Sequence, residues 1–233
     1  MKRTILRCAA GLLIAAALLP TALAAEAEIP YIPQTVPAAQ LAPADQRGQE
    51  DWQLLLVNPW HTVPEGYEIK LATLSNGLQV DERIYDDLDD MLSDCREAGL
   101  NPIVCSAYRT EATQTRLYRN KVARVRASGV PEDRVEAEAA RWVAKPGTSE
   151  HQTGLALDIV AAGYQILDEE QEDTAEQKWL MENSWKYGFI LRYPSEKSDI
   201  TGIGYEPWHY RYVGKAAAAD IYRTGVCLEE YLS

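Results

Sequence analysis

In the stretch 81–98 the apolar positions Ile84, Leu88, Met91, Leu92 and Cys95 recur at spacings of three and four, the stripe of an amphipathic helix, and Gly99 stops it. Ile103, Val104 and Cys105 then read as a short buried strand that runs into Ser106-Ala107-Tyr108-Arg109. Thr110 can cap a second helix, which carries Leu117, Val122 and Val125 and ends at Ser128-Gly129. Pro131 suits the first turn of a third, ending before Lys145-Pro146-Gly147. Over 155–160 the period changes to two, so Leu155, Leu157 and Ile159 share one face and Ala156, Asp158 and Val160 the other.

Residues 174–186 read as another helix, 189–193 as a strand, and 209–213 as a strand with His209 and Arg211 on one side; an alanine-rich helix follows over 214–222. Helices and strands mix without a regular strand-helix-strand repeat. The expectation is a single α+β domain over 51–233, with a small, mainly antiparallel sheet flanked by helices.

The N-terminal fifth reads differently. Met1-Lys2-Arg3-Thr4-Ile5-Leu6-Arg7 is basic, an apolar run covers 8–19, and Pro20 precedes Ala22-Leu23-Ala24. This is the layout of a signal peptide over 1–24, and an uncleaved membrane anchor is the rival reading. Residues 25–50 carry Pro30, Pro33, Pro37 and Pro43 among alanines and glutamines, as a linker or extended arm does. The protein is therefore expected outside the cytoplasm, as an extracellular, cell-wall or periplasmic protein.

Charge narrows the partners. The formal charge is −12, and removing Lys2, Arg3 and Arg7 with no acid takes it to −15. Such a surface argues against nucleic acid or anionic lipid and favours solubility; the expected state is a monomer off the membrane once the leader is removed. Cys95, Cys105 and Cys227 remain after processing. An exported chain permits a Cys95–Cys105 disulfide, and three small buried thiols are the alternative.

Three histidines occur in all, and two of them stand in suggestive company. His151 and Asp158 belong to the segment 149–158, and His209 ends Glu206-Pro207-Trp208-His209. Two imidazoles and a carboxylate suit one Zn²⁺, and three protein ligands leave a fourth tetrahedral position for water, as in catalytic sites. Glu206 is then the base for that water's proton. His151 and Asp158 are seven apart, which on one flat strand puts them on opposite faces; a turn or bulge at Gly154 lets His151 fold back. His61 reads as a loop histidine, Trp208 and Tyr210 as packing residues, and the acidic run 168–173 as a solvated loop. Ser106 and Ser149 lie in no nucleophile motif.

The segments Ser106-Ala107-Tyr108-Arg109-Thr110, 149–158 and 206–214 resemble the zinc D-alanyl-D-alanine carboxypeptidases of the VanY type. That family belongs to the LAS metallopeptidase group and shares its metal site and core sheet with D-Ala-D-Ala dipeptidases and the amino-terminal domain of hedgehog proteins. The likeness covers about residues 55–214, with the motifs in the family's order. It implies His151, Asp158 and His209 as zinc ligands, Glu206 as catalytic base, and Arg109 as the group that stabilises charge on the scissile carbonyl oxygen. Gln114, Ser149 and Arg192 fall where similar sequences line the substrate cleft; Ser106 and Tyr108 either bind substrate or support the Arg109 loop. The implied reaction is release of the terminal D-Ala from peptidoglycan stem peptides. L,D-carboxypeptidase or endopeptidase action on the same peptides, and a zinc-containing binding module without catalysis, are the alternatives.

Overall fold

The computed structural model describes residues 52–233; the leader and the proline-rich arm lie outside the described residues. A short hairpin comes first, pairing β1 (Leu71–Thr73) with β2 (Gln79–Asp81). It was not anticipated, because three-residue strands carry too little alternation to stand out.

The amphipathic stripe becomes α1 (Tyr85–Glu97), entered through a 3-10 turn, Glu82–Ile84, that Asp81 caps by accepting from the Arg83 backbone N–H. Leu88, Met91, Leu92 and Cys95 are its buried face. Burial of each large side chain of that kind contributes roughly 1.5–3 kcal/mol. After β3 (Pro102–Ser106), Thr110 caps α2 (Glu111–Ala127) by accepting from the Thr113 N–H, as its side chain suggested. Pro131 is the N-cap of α3 (Glu132–Ala140), which ends five residues short of Lys145 in turns around Trp142.

A second sheet holds four strands in the order β3-β4-β6-β5, all antiparallel, with β4 Ala156–Ala161, β5 Phe189–Leu191 and β6 His209–Tyr212. The α+β expectation stands. On one face Leu157, Ile159, Tyr210 and Tyr212 pack with Phe189 against α1. All six residues of β4 are buried, so the opposite face, with Asp158, is covered as well. After β4 come α4 (Ala175–Asn183), the four-residue α5 (Ser198–Thr201), α6 (Lys215–Thr224) and the terminal turn α7 (Leu228–Tyr231). Ile190, Val213, Ala217, Ala218, Ile221 and Leu228 form a second core beneath α6 and α7. Cys95, Cys105 and Cys227 are free thiols, so no disulfide joins Cys95 to Cys105; Cys95 and Cys227 are buried as the alternative expected, whereas Cys105 is exposed.

Candidate metal centre

Strand register brings the site together. Ser106 pairs with Asp158 across β3 and β4, and Asp158 pairs with His209 across β4 and β6, so three chemically active positions form one row. A register shift between Val104 and Ser106 re-aims the end of β3. His151 arrives from a 3-10 turn, Glu150–Thr153, that closes on Gly154 at φ +70°. The left-handed glycine supplies the reversal inferred from the seven-residue spacing. A side chain there would also collide with Ile69 and the Asp81 backbone.

One ligand atom each from His151, Asp158 and His209 lies within 4.8 Å of the others, and all three residues are buried. Asp158 Oδ1 is 3.3 Å from His151 Nε2 and 3.1 Å from His209 Nδ1. The far ring nitrogens have partners of their own. His151 Nδ1 is 2.8 Å from the Ala107 carbonyl, which requires an N–H there and leaves Nε2 as the lone-pair nitrogen facing Asp158. His209 Nε2 is 3.4 Å from Glu150 Oε2, which likewise leaves Nδ1 for the centre. Ligand histidines anchored through the second nitrogen are the usual arrangement around a metal. Nitrogen and oxygen donors of this number fit Zn²⁺ with an open position.

Electrostatics agree with a site built to hold charge. Burial pushes the His151 ring down to about 4, helped by Arg109 and opposed by Asp158. For His209 burial acts the same way, but hydrogen bonds to Asp158 and Glu150 carry it up to about 9. Asp158 stays well below the usual carboxylate range: burial would raise it, and His151, His209 and Arg109 outweigh that. Glu206, with Oε2 3.7 Å from His209 Nδ1, is pushed by burial up to about 8, against the pull of His209 and Arg109.

Arg109 donates from Nη2 to Asp158 Oδ2 at 2.7 Å, and from Nε and Nη2 to Ser106 Oγ at 2.9 and 2.7 Å. Ser106 therefore supports Arg109 and does not line the cleft. Tyr108 does not line it either; its backbone N–H donates to Gln79. Gln114 and Ser149 do line the cleft, which encloses about 1020 Å³ and also takes in Trp142, Tyr193 and Trp208. Gln114 accepts from Arg109 and donates to the Ala144 carbonyl.

Arg192 requires correction as a cleft residue. It is fully buried away from the cleft, donating to Glu150 at 2.7 Å and to both oxygens of Glu229 at 2.9 and 2.6 Å. A buried guanidinium persists only with such partners. The acidic run is also more than a solvated loop: the Tyr164 hydroxyl donates to Asp168 and Glu170, the Tyr205 hydroxyl donates to Glu172, and Asp168, Glu169 and Glu170 form a lip of the cleft. His61 sits exposed in a bridge with Asn58, as a loop histidine should.

Glu150 is the residue the sequence reading passed over. One oxygen faces His209 Nε2, and the other accepts from Arg192 Nε and Arg211 Nη1, the latter at 2.8 Å. Burial opposes its ionisation, yet Arg192 and Arg211 hold it below the usual carboxylate range. A signal for it existed in Arg211, which shares a strand face with His209 and needs a buried acid beside it.

Known proteins resemble this chain in sequence and fold. The family described as VanY, D-alanyl-D-alanine carboxypeptidase, matches residues 77–215. A D-alanyl-D-alanine carboxypeptidase of Enterococcus faecalis (strain ATCC 700802 / V583) is 48% identical over 194 residues, covering 83% of this chain and 70% of that protein. A mutant of the vancomycin resistance D,D-pentapeptidase VanY from a VanB-type cassette, solved in complex with Zn(II), superposes with a TM-score of 0.72 at 48% identity, over 78% of this chain and 100% of that one. VanYB in complex with D-alanine-D-alanine gives 0.73 at the same identity, over 78% and 98%.

Proposed function

The chain belongs to the VanY D-alanyl-D-alanine carboxypeptidase family, and from that premise we propose that it is a zinc-dependent D,D-carboxypeptidase removing the terminal D-Ala from peptidoglycan stem peptides. The observation that carries this reading is the buried His151–Asp158–His209 triad opening on a cleft beside Glu206. His151 Nε2, Asp158 Oδ1 and His209 Nδ1 would hold the ion. When bound, zinc supplies positive charge that polarises the scissile carbonyl and makes a water molecule acidic.

The chain's own residues do the rest. Glu206 takes a proton from the water as its oxygen bonds to the carbonyl carbon, then delivers that proton to the departing D-Ala nitrogen as the C–N bond breaks. Arg109, fixed by Ser106 and Asp158, offers guanidinium N–H groups to the carbonyl oxygen as it becomes negative. Gln114 and Ser149, on the cleft wall, are placed to orient the peptide.

Incubating the protein with a pentapeptide ending in D-Ala-D-Ala, with and without chelator, and identifying the released residue by mass tests the assignment. Chelator-sensitive release of one D-Ala is expected. Release only from a tetrapeptide, or internal cleavage, would show L,D-carboxypeptidase or endopeptidase action instead. Export is part of the same reading, supported by the basic and then apolar N-terminus. Amino-terminal sequencing of the secreted protein checks cleavage near Ala24, and light scattering checks the monomer.

A further inference from the structure

The cleft is longer than removal of one residue requires. Its α2 wall starts at Gln114, beside Arg109, and continues through Leu117, Lys121 and Arg124 to Ser128. At the helical rise of ~1.5 Å per residue that wall is ~21 Å long. On the function proposed above, only one residue lies on the leaving side of the scissile bond. The long groove therefore holds the peptide upstream of it. Lys121 stands ~10 Å along α2 from Gln114, the span of about three extended residues.

Charge along this wall is unlike that of the whole molecule. The chain carries a formal charge of −12, yet α2 holds Arg116, Arg119, Lys121, Arg124 and Arg126 against the single acid Glu111. Arg109 is committed to Asp158, whereas Lys121 and Arg124 have no ion pair among the described residues. Lys121 is half-buried, with its ammonium 5.4 Å from the centre of the Trp142 ring. Helical side chains lean toward the helix N-terminus, which carries that ammonium toward Gln114 and the reaction centre. Burial and the neighbouring Arg124 both lower its proton affinity, and Glu138 and Glu206 only partly offset them. The lip carrying Asp168, Glu169 and Glu170 repels a negative group, leaving the α2 wall as its place.

We propose that Lys121, backed by Arg124, forms an anion subsite that recognises a carboxylate borne by the substrate peptide two or three residues upstream of the scissile bond. The subsite makes the enzyme discriminate between peptides that differ there only as acid and amide. Its contribution is to binding, so the acid preference is read in affinity and in KM.

The test uses the full-length, zinc-loaded protein and synthetic peptides ending in D-Ala-D-Ala, with Glu or Gln two or three residues upstream of the scissile bond. Affinity is measured on Glu206→Gln, and kcat and KM on the wild type. The acid should bind ~10-fold more tightly than the amide, as expected for a charge-assisted contact. Lys121→Met should erase that preference and Lys121→Arg should keep most of it, with zinc content unchanged in both. Equal affinity for acid and amide in the parent protein, or a preference that survives Lys121→Met, overturns the subsite. Absence of hydrolysis together with an intact acid preference would defeat the carboxypeptidase reading and leave the subsite standing.

Discussion

Arg109 and Asp158 are joined at 2.7 Å, Nη2 to Oδ2, so the residue proposed to meet the substrate oxygen is held by the outer oxygen of a proposed metal ligand. The second oxygen, Oδ1, is the one that meets both histidines. Lysine at 109 keeps a charge but cannot hold Ser106, Gln114 and Asp158 at once, because it lacks the planar fork. Arg109→Lys should lower kcat by ~100- to 1,000-fold, the scale of one lost oxyanion donor. Zinc content measured by atomic emission should stay near one per chain. Unchanged kcat would remove Arg109 from the transition state.

Glu206 is the group on which the proposed chemistry depends most directly. Glu206→Gln preserves shape and hydrogen bonding and removes only the proton acceptor. Its kcat should fall by at least ~100-fold, at the low end for general acid–base catalysis, while zinc remains bound because the three ligand side chains are untouched. Near-normal turnover, or loss of zinc together with activity, would contradict its role as base.

Much of this site was legible before any coordinates. His151, Asp158 and His209, which converge with Glu206 beside them, announced themselves through rare histidines at fixed distances from acids, and Thr110 and Gly154 through backbone demands that few residues meet. What stayed hidden was pairing between segments remote in sequence. Arg192 reads as a cleft residue until Glu150, 42 positions away, and Glu229, 37 positions away, are seen around its guanidinium. Glu150 stayed silent for the same reason: its partners come from two stretches of chain remote from it, Arg192 and the β6 residues His209 and Arg211. The β1–β2 hairpin was missed because three-residue strands leave no periodicity to read.

Glu150 and Glu229 lie on one chain of charges but touch the centre differently. Glu150 accepts from His209, whereas among the described side chains Glu229 accepts from Arg192 and Asn58. Both Glu150→Gln and Glu229→Gln should destabilise the fold, since each leaves a buried cation short of an acid. Only Glu150→Gln should weaken zinc, by ~10- to 100-fold in competition with a chromophoric chelator. Equal zinc affinities in the two variants would reduce Glu150 to a structural acid.

The same charges set the response to acid. Burial raises the Glu229 carboxyl, but Arg192 and Asn58 outweigh it and hold the group below its usual range. A carboxylate lowered by folding stabilises the native state above its unfolded pKa of about 4.3, and that contribution is lost as pH falls through the folded value. For metal-free protein in urea, the stability gap between wild type and Glu229→Gln should therefore be full at pH 7 and shrink steadily below about pH 4. A gap independent of pH would mean that the charge of Glu229 is not what stabilises the terminal turn.

Gly154 should tolerate no side chain, for two separate reasons. Its φ of +70° is a conformation that costs an L-residue roughly 1–2 kcal/mol. In addition, a Cβ at that place would stand 2.9 Å from the Asp81 backbone nitrogen, which donates to the Gly154 carbonyl, and closer still to Ile69 Cδ1. The Ile69 methyl can rotate away; the β2 backbone cannot, so the strain passes into the turn that carries His151. Gly154→Ala should lose about 2–4 kcal/mol of stability in denaturant titration, the conformational and overpacking costs taken together, and zinc affinity should fall with it. Gly129 separates the two causes: it has φ +86° but nothing within 4 Å of its Cβ position, so Gly129→Ala should cost only the conformational part and leave zinc binding unchanged. Equal losses in the two variants would show that the crowding at Gly154 has no bearing on the metal site.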